Sequence, residues 1–295
     1  MNRRTFLVGS LTASLGQSFA AKPKPMKLAF STLGCPDWSW GQILAYATKG
    51  GFSGIELRGL GADLDILMSP VFASSQLAQT RRQLKDAGIQ VFNLGSSAHL
   101  HAHDPIVRVQ QLDHARRYLD LAAALDCPYV RVFPDRLPAE YPKEATLEQI
   151  KSGLATLADH VHGSPTRVLL ETHGDVVESQ VLAKIMQEVH RPEVGLIWDP
   201  FNMWIKTNEE VSTMYRILRP WIHHVHLKDA KVTSSGFTYV PCGAGDFDLK
   251  QVVGLLQQDH YKGYYSLEWE KKWHPTIAPP EEVFPAFVAY MKRLS

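Results

Sequence analysis

Along most of the chain, short apolar or β-branched runs alternate with longer segments in which apolar residues recur every three or four positions. This is the pattern of parallel strands covered by helices. The runs predict eight strands: Lys27 to Thr32, Gly54 to Arg58, Gln90 to Leu94, Tyr129 to Phe133, Arg167 to His173, Val194 to Asp199, His223 to Lys228 and Tyr264 to Trp269. Helical periodicity fills the intervals at Ile43 to Thr48, Leu77 to Asp86, Val107 to Leu125, Leu147 to His160, Ser179 to Val189, Val211 to Leu218 and Leu249 to Gln258, and returns after the last strand at Glu281 to Arg293. Eight strand-helix pairs across residues 26–295 predict a single α/β domain, a (β/α)8 TIM barrel whose functional residues stand at the C-terminal ends of the strands. An open doubly wound sheet fits less well, because no GxGxxG opens the first helix.

The first twenty residues differ. Arg3 and Arg4 precede Phe6-Leu7 and an apolar run to Ala20 that holds no acidic residue, and Lys22-Pro23-Lys24-Pro25 follows as an extended linker. The pattern reads as a twin-arginine export signal over residues 1–20 and a linker at 21–25, which places the protein in a bacterial periplasm. The apolar run is too short to span a bilayer. Hydrophobic residues make up 45% and charged residues 21% of the 295 residues, so a sizeable core is expected and disorder is not. Thirty-one basic against thirty acidic residues leave +1, and without Arg3 and Arg4 twenty-nine against thirty leave −1. Such a surface has no general attraction for nucleic acid or anionic lipid. Cys35, Cys127 and Cys242 are widely spaced and form no CxxC pair, which excludes a disulfide scaffold and a cysteine zinc site.

A strand buried on both faces should be apolar throughout, so ionisable residues near its end need a reason. The fifth strand ends Leu170-Glu171-Thr172-His173, the sixth Trp198-Asp199, the seventh His223-His224-Val225-His226-Leu227-Lys228-Asp229 and the eighth Leu267-Glu268-Trp269-Glu270. Alternation puts Glu171 with His173 on one face, and His224, His226 and Lys228 on one face with His223 opposite. Four neighbouring strands thus offer Glu171, Asp199, His226 and Glu268, a set suited to one divalent ion. Three oxygens and one nitrogen favour Mn²⁺, Mg²⁺, Fe²⁺ or Co²⁺ and leave room for Zn²⁺. The competing account is separate ion pairs and helix caps, since Asp199 precedes Pro200 as an N-cap would. It explains any one of the four better than all of them.

With Gly243-Ala244-Gly245-Asp246-Phe247-Asp248 added, these segments resemble the xylose isomerase-like barrel superfamily, the sugar phosphate isomerase/epimerase group, over residues 26–295. The resemblance implies that Glu171, Asp199, His226 and Glu268 ligate the metal and that Glu171 and Glu268 face each other across a substrate as proton carriers. It also implies a small carbohydrate or cyclitol as partner. The reaction expected is isomerisation or epimerisation of a sugar, ketosugar or cyclitol by proton abstraction next to a carbonyl, through an enediolate that positive charge stabilises. Loss of a β-substituent would make the same site a dehydratase or another lyase. Many members carry His three residues after the sixth-strand Asp, where this chain has Asn202, which cannot exchange a proton near neutral pH. His173 can stand in for it.

Candidate substrate contacts surround this centre. Glu56 ends the second strand, His99 and His101 lie in a loop after the third, Arg131 is in the fourth, Lys228 shares a face with His226, and Trp273 stands where it can close over a ligand. His103 reads as solvated, and His114, His160, His162, His190 and His260 fall on helices or their ends. Gly243 to Asp248 lacks the Lys and Ser/Thr of a phosphate loop and reads as a turn with Asp248 capping the next helix. Two other classes share the fold: an endonuclease IV-like nuclease, which needs more metal ligands and an affinity for phosphates, and a noncatalytic carbohydrate-binding barrel. Charge argues against the first, and the complete quartet against the second.

Overall fold

Segments buried on both faces must pair their backbones on both edges. In the computed structural model, which describes residues 26–295, eight of them do so as a closed ring of parallel strands. In ring order these are β1 (Lys27–Ser31), β2 (Gly54–Leu57), β3 (Gln90–His99), β4 (Tyr129–Phe133), β5 (Arg167–Glu171), β6 (Val194–Trp198), β7 (Ile222–Leu227) and β10 (Tyr264–Leu267), which returns to β1. An antiparallel hairpin, β8 (Asp229–Thr233) and β9 (Gly236–Val240), follows β7. The expected TIM barrel is therefore present, and residues 1–25, with the predicted export signal and linker, lie outside the described residues.

The outer helices are α1 (Trp40–Gly50), α2 (Leu77–Ala87), α3 (Pro105–Ala124), α4 (Lys143–His160), α5 (Ser179–Val189), α6 (Pro200–Thr207), α7 (Val211–Leu218), α8 (Leu249–Gln258) and α9 (Pro280–Leu294). Their starts are written locally. Ser39 and Gln42 form a reciprocal capping box on α1, Asp104 accepts from the Ile106 and Val107 amides before Pro105 opens α3, and Asp248 accepts from the Gln251 amide as expected. The apolar faces of these helices and the outward faces of the strands make one continuous core. Inside the barrel, Ala29, Phe92, Tyr129 and Tyr264 close the N-terminal end.

Four local readings change. The third strand runs on to His99 rather than stopping at Leu94, so His99 is a strand residue and not a loop residue. Helix α6 was missed because its Asp199-Pro200 start was weighed only as an alternative to a ligand; Asp199 is both cap and cluster member. The β8-β9 hairpin was missed because its residues are largely polar and exposed. In β7 the register slips: Leu196 pairs with Ile222 but Ile197 with His224, so His223 is skipped. This bulge turns His223 inward with His224, where it meets Tyr129 and accepts from Arg167.

Candidate active site at the barrel mouth

Glu171 ends β5, Asp199 follows β6, His226 sits in β7 and Glu268 follows β10. The bend of neighbouring strands around the ring brings their ligand atoms within 4.8 Å of one another, and all four residues are buried. His226 Nδ1 lies 3.5 Å from Glu171 Oε1, 3.3 Å from Glu268 Oε1 and 3.9 Å from Asp199 Oδ2. On the far side of the ring, Nε2 lies 2.9 Å from Glu56 Oε2, which also meets His224 Nε2 at 3.0 Å. Burial opposes ionisation of Glu56, but the two imidazoles outweigh it and hold the carboxyl well below its usual range. An ionised Glu56 accepts the Nε2 proton and leaves Nδ1 facing the three carboxylates.

Glu56, expected as a substrate contact, is buried behind His226 and bonded to both imidazoles. Lys228 is also buried, among three carboxylates. Its Nζ is 2.7 Å from Asp199 Oδ2, 2.6 Å from Glu268 Oε2 and 3.1 Å from Glu270 Oε1. Arg131 is 2% exposed, donates to Glu171 Oε2 at 3.0 Å and to Ser96 O at 3.1 Å, and lies over the Phe133 ring. Gly95 makes room for it, since a Cβ there would lie 2.9 Å from Arg58 Cδ and 3.2 Å from Arg131 Nη2. Arg131, expected as a substrate contact, forms a buried ion pair with Glu171.

The charges do not balance on their own. Glu56, Glu171, Asp199, Glu268 and Glu270 oppose the fixed cations Arg58, Arg131 and Lys228, a deficit of two with neutral histidines. Buried uncompensated charge is costly. The cluster therefore takes up protons: burial, with Glu268 and Glu171 adding to it, pushes Asp199 up to about 7 against the pull of Lys228. Burial disfavours the His226 imidazolium, but Glu268 and Glu56 outweigh it and raise that group well above its ordinary value. Glu171 stays well below the carboxylate range, since Arg131 and His226 overcome its burial. Asp199 Oδ2 and His226 Nδ1 are buried without an aligned hydrogen-bond partner. A divalent cation among these four residues would meet the deficit and give His226 Nδ1 a partner, so the donor set fits the expected ion.

Other predicted residues stand around the mouth. His173 lies just beyond β5, with Nδ1 3.5 Å from Asp135 Oδ1, and packs on Phe133. His99 stacks on the other part of the Phe133 surface and lies 3.4 Å from Asp135 Oδ2, with His101 beside it. Asn202 donates its amide to Asp199 Oδ1, and its side-chain nitrogen is buried without a partner. Trp273 is 47% exposed, unlike Trp269, which packs inside and donates to Ala278 O. His103 is not simply solvated: it meets Thr146 Oγ1 at 2.9 Å and stacks on Tyr141. Sequence reasoning missed Asp135 and Tyr239. Asp135 sits two residues past β4, the same strand-end position that marked the other acids; Tyr239 comes from the unforeseen hairpin and lies over Lys228. A cavity of about 1160 Å³ opens at the opposite end of the barrel, beside Lys27, Arg81, Lys85 and Tyr264, and holds none of these residues.

The fold and site define a class, the eight-stranded α/β barrel with a carboxylate-imidazole cluster at its C-terminal mouth. Within that class, the chain belongs to the xylose isomerase-like TIM barrel family, which it matches over residues 44–294. It is 25% identical over 189 residues to 3-oxo-isoapionate decarboxylase of Pectobacterium atrosepticum, a match covering 63% of this chain and 60% of that protein. The chain thus spans less than two thirds of that relative. Among solved structures, the probable 3-DHS dehydratase AsbF of Bacillus anthracis is 20% identical with a TM-score of 0.73, covering 91% of this chain and 98% of that one. The 3-keto-D-glucoside 4-epimerase YcjR of E. coli is 18% identical with a TM-score of 0.74, covering 91% and 99%. The IOLI protein with a bound zinc atom is 18% identical with a TM-score of 0.77, covering 91% and 98%. These likenesses establish the fold, and the similar proteins include an epimerase, a dehydratase and a decarboxylase. No helix among the described residues is long and apolar enough to cross a membrane.

Proposed function

We propose that the protein is a divalent-metal-dependent isomerase or epimerase acting on a sugar, ketosugar or cyclitol. The observation that carries this reading is the placement of Glu171 and Glu268 on either side of His226 Nδ1, at 3.5 and 3.3 Å, in a buried cluster short of positive charge. Glu171, Asp199, His226 and Glu268 would hold the ion, which when bound supplies positive charge to substrate oxygens next to the reacting carbon. Glu171 takes a proton from the carbon beside the carbonyl, and Glu268 returns one from the other side. Arg131 keeps Glu171 ionised, the form that can accept a proton, and lowers its basicity. Lys228, held between Asp199, Glu268 and Glu270, fixes the Glu268 carboxylate and keeps a cation next to the developing negative charge. His99, His101, Asn202 and Trp273 line the approach and bind hydroxyl groups or a ring face.

A second reading, a dehydratase or other lyase, draws on His173: its ring lies against Asp135 and is carried two residues beyond Glu171, where it can protonate a departing hydroxyl. The two readings separate in deuterated water. Metal-loaded protein is incubated with ketoses, 3-keto sugars and keto-cyclitols; an epimerase or isomerase incorporates solvent deuterium at an intact carbon skeleton, whereas a lyase releases water or carbon dioxide. Glu268→Gln should abolish either turnover while the circular dichroism spectrum is kept, because it removes a ligand and a proton carrier together. Full activity in that variant refutes the assignment. The reading also includes export, which rests on residues 1–20 alone: replacing Arg3 and Arg4 by Lys should block it.

A further inference from the structure

The rim of the barrel carries a second group of metal-ligating side chains that the proposed chemistry does not need as ligands. His99 Nδ1 and His173 Nδ1 lie 3.4 and 3.5 Å from the two oxygens of the Asp135 carboxylate, and His101 stands beside His99 in the same group. Three imidazoles converging on one carboxylate make a donor set rather than a chain of separate ion pairs. Ligand atoms of His99, His101 and Asp135 lie within 4.8 Å of one another.

The supporting backbone is built for this. His99 ends β3 in register with Phe133, and its amide donates to Gln111 Oε1 at 2.9 Å. Asp135 adopts a left-handed conformation, φ 62°, which costs free energy in a residue with a Cβ. It is kept there by the loop after β5: Asp175 donates its amide to Asp135 O at 2.6 Å, and Gly174, at φ 68°, crosses so closely that a Cβ would lie 2.0 Å from that oxygen. Two loops are thus clamped so that the Asp135 carboxylate points between the histidines. Its Oδ2 faces His99 and its Oδ1 faces His173.

We infer that His99, His101 and Asp135 form a second cation site, separate from the cluster around His226, for a first-row transition ion such as Zn²⁺ or Co²⁺. Two nitrogens and one oxygen prefer such an ion over Mg²⁺, whereas the oxygen-rich inner cluster does not discriminate in this way. The side chains of His99 and His101 remain partly open to solvent, which gives the ion an entry path and leaves coordination positions free for water or a substrate oxygen. His173 holds the second oxygen of Asp135 and orients it.

The site is tested on the full chain, stripped of metal and then titrated with Zn²⁺ and with Co²⁺ alone, by metal analysis after dialysis and by the visible spectrum of Co²⁺. The wild type should hold two ions per chain. His226→Ala should hold one, with the nitrogen-rich Co²⁺ spectrum retained. His101→Gln should also hold one, with that spectrum lost, and Asp135→Asn, which suits the left-handed backbone and removes the charge, should weaken the second ion by at least ~10-fold. One ion per chain that disappears with His226→Ala alone overturns the inference, as does a second ion indifferent to both His101→Gln and Asp135→Asn. Failure of the inner centre instead appears as loss of the ion that depends on His226, so the two outcomes are distinct.

Discussion

Replacing Arg131 by Met removes one cation from a cluster already short of positive charge while nearly preserving volume. Glu171 then loses its 3.0 Å partner, the Ser96 carbonyl loses a donor, and the contact with Phe133 loses its charge. Breaking a buried pair by deleting one partner costs about 3–5 kcal/mol, because the remaining charge is left without compensation. At roughly 2–4 °C per kcal/mol for a chain of this size, metal-free Arg131→Met should melt about 6–20 °C below the wild type. Saturating divalent metal should narrow the gap, because the ion supplies part of the lost charge to Glu171. The assay is calorimetric melting of both proteins with and without Mn²⁺, with Arg131→Lys as a control that keeps charge but loses the fork geometry. A loss below about 2 °C in the metal-free state would refute the claim that the pair is buried and uncompensated. An equal gap with and without metal would instead break the link between Arg131 and the ion site.

Glu56→Gln keeps the shape behind His226 but weakens its hold on the Nε2 proton, and should lower metal affinity by about 10–100-fold with little change in the fold, read by competition with a chelating dye. Metal binding should release protons: His226 is raised above its ordinary value and Asp199 to about 7, and both must give up protons to ligate. Calorimetry in buffers of different ionisation enthalpy should therefore find between about one and two protons released per ion at pH 7, with affinity rising with pH; no release would contradict the charge assignment. Below neutrality His223 should limit stability. Burial, reinforced by Arg167, holds it down to about 4, so the unfolded chain binds a proton near its ordinary value of 6.5 while the folded chain does not. The stabilisation present above pH 6.5 should be lost as pH falls toward 4, by about 1–3 kcal/mol, and His223→Gln should flatten that part of the urea-unfolding profile.

The barrel was legible because its evidence is repeated: eight buried runs, each followed by a helical period, leave few other ways to cover a parallel sheet. The inner quartet was legible for a related reason. Glu171, Asp199, His226 and Glu268 each stand at or within a residue of the C-terminal end of a strand, and such positions become neighbours when the ring closes. The residues misread are those whose role depends on which strand lies across the barrel. Glu56 and His226 are 170 positions apart, and nothing local says that a carboxylate on β2 will back an imidazole on β7. Lys228 was correctly placed on the face of His226, yet its surroundings come from Asp199, Glu268 and Glu270 on two other elements.

The β7 bulge marks the firmest limit of pattern reading. Strict alternation puts His223 outside, and a single skipped pairing puts it inside against Arg167. Because one extra residue reverses the face of whatever precedes it, the quartet survived only because His226 lies on the C-terminal side of the slip, in phase with Lys228 at the strand end. A bulge one turn of the ladder later would have sent His226 outward and left three carboxylates facing each other without an imidazole. The register of β7 between His224 and Leu227 is thus a condition for the site. An inserted residue there should abolish the ion of the inner cluster, while the clamped rim around Asp135, built on β3 and the loops after β4 and β5, should keep its own.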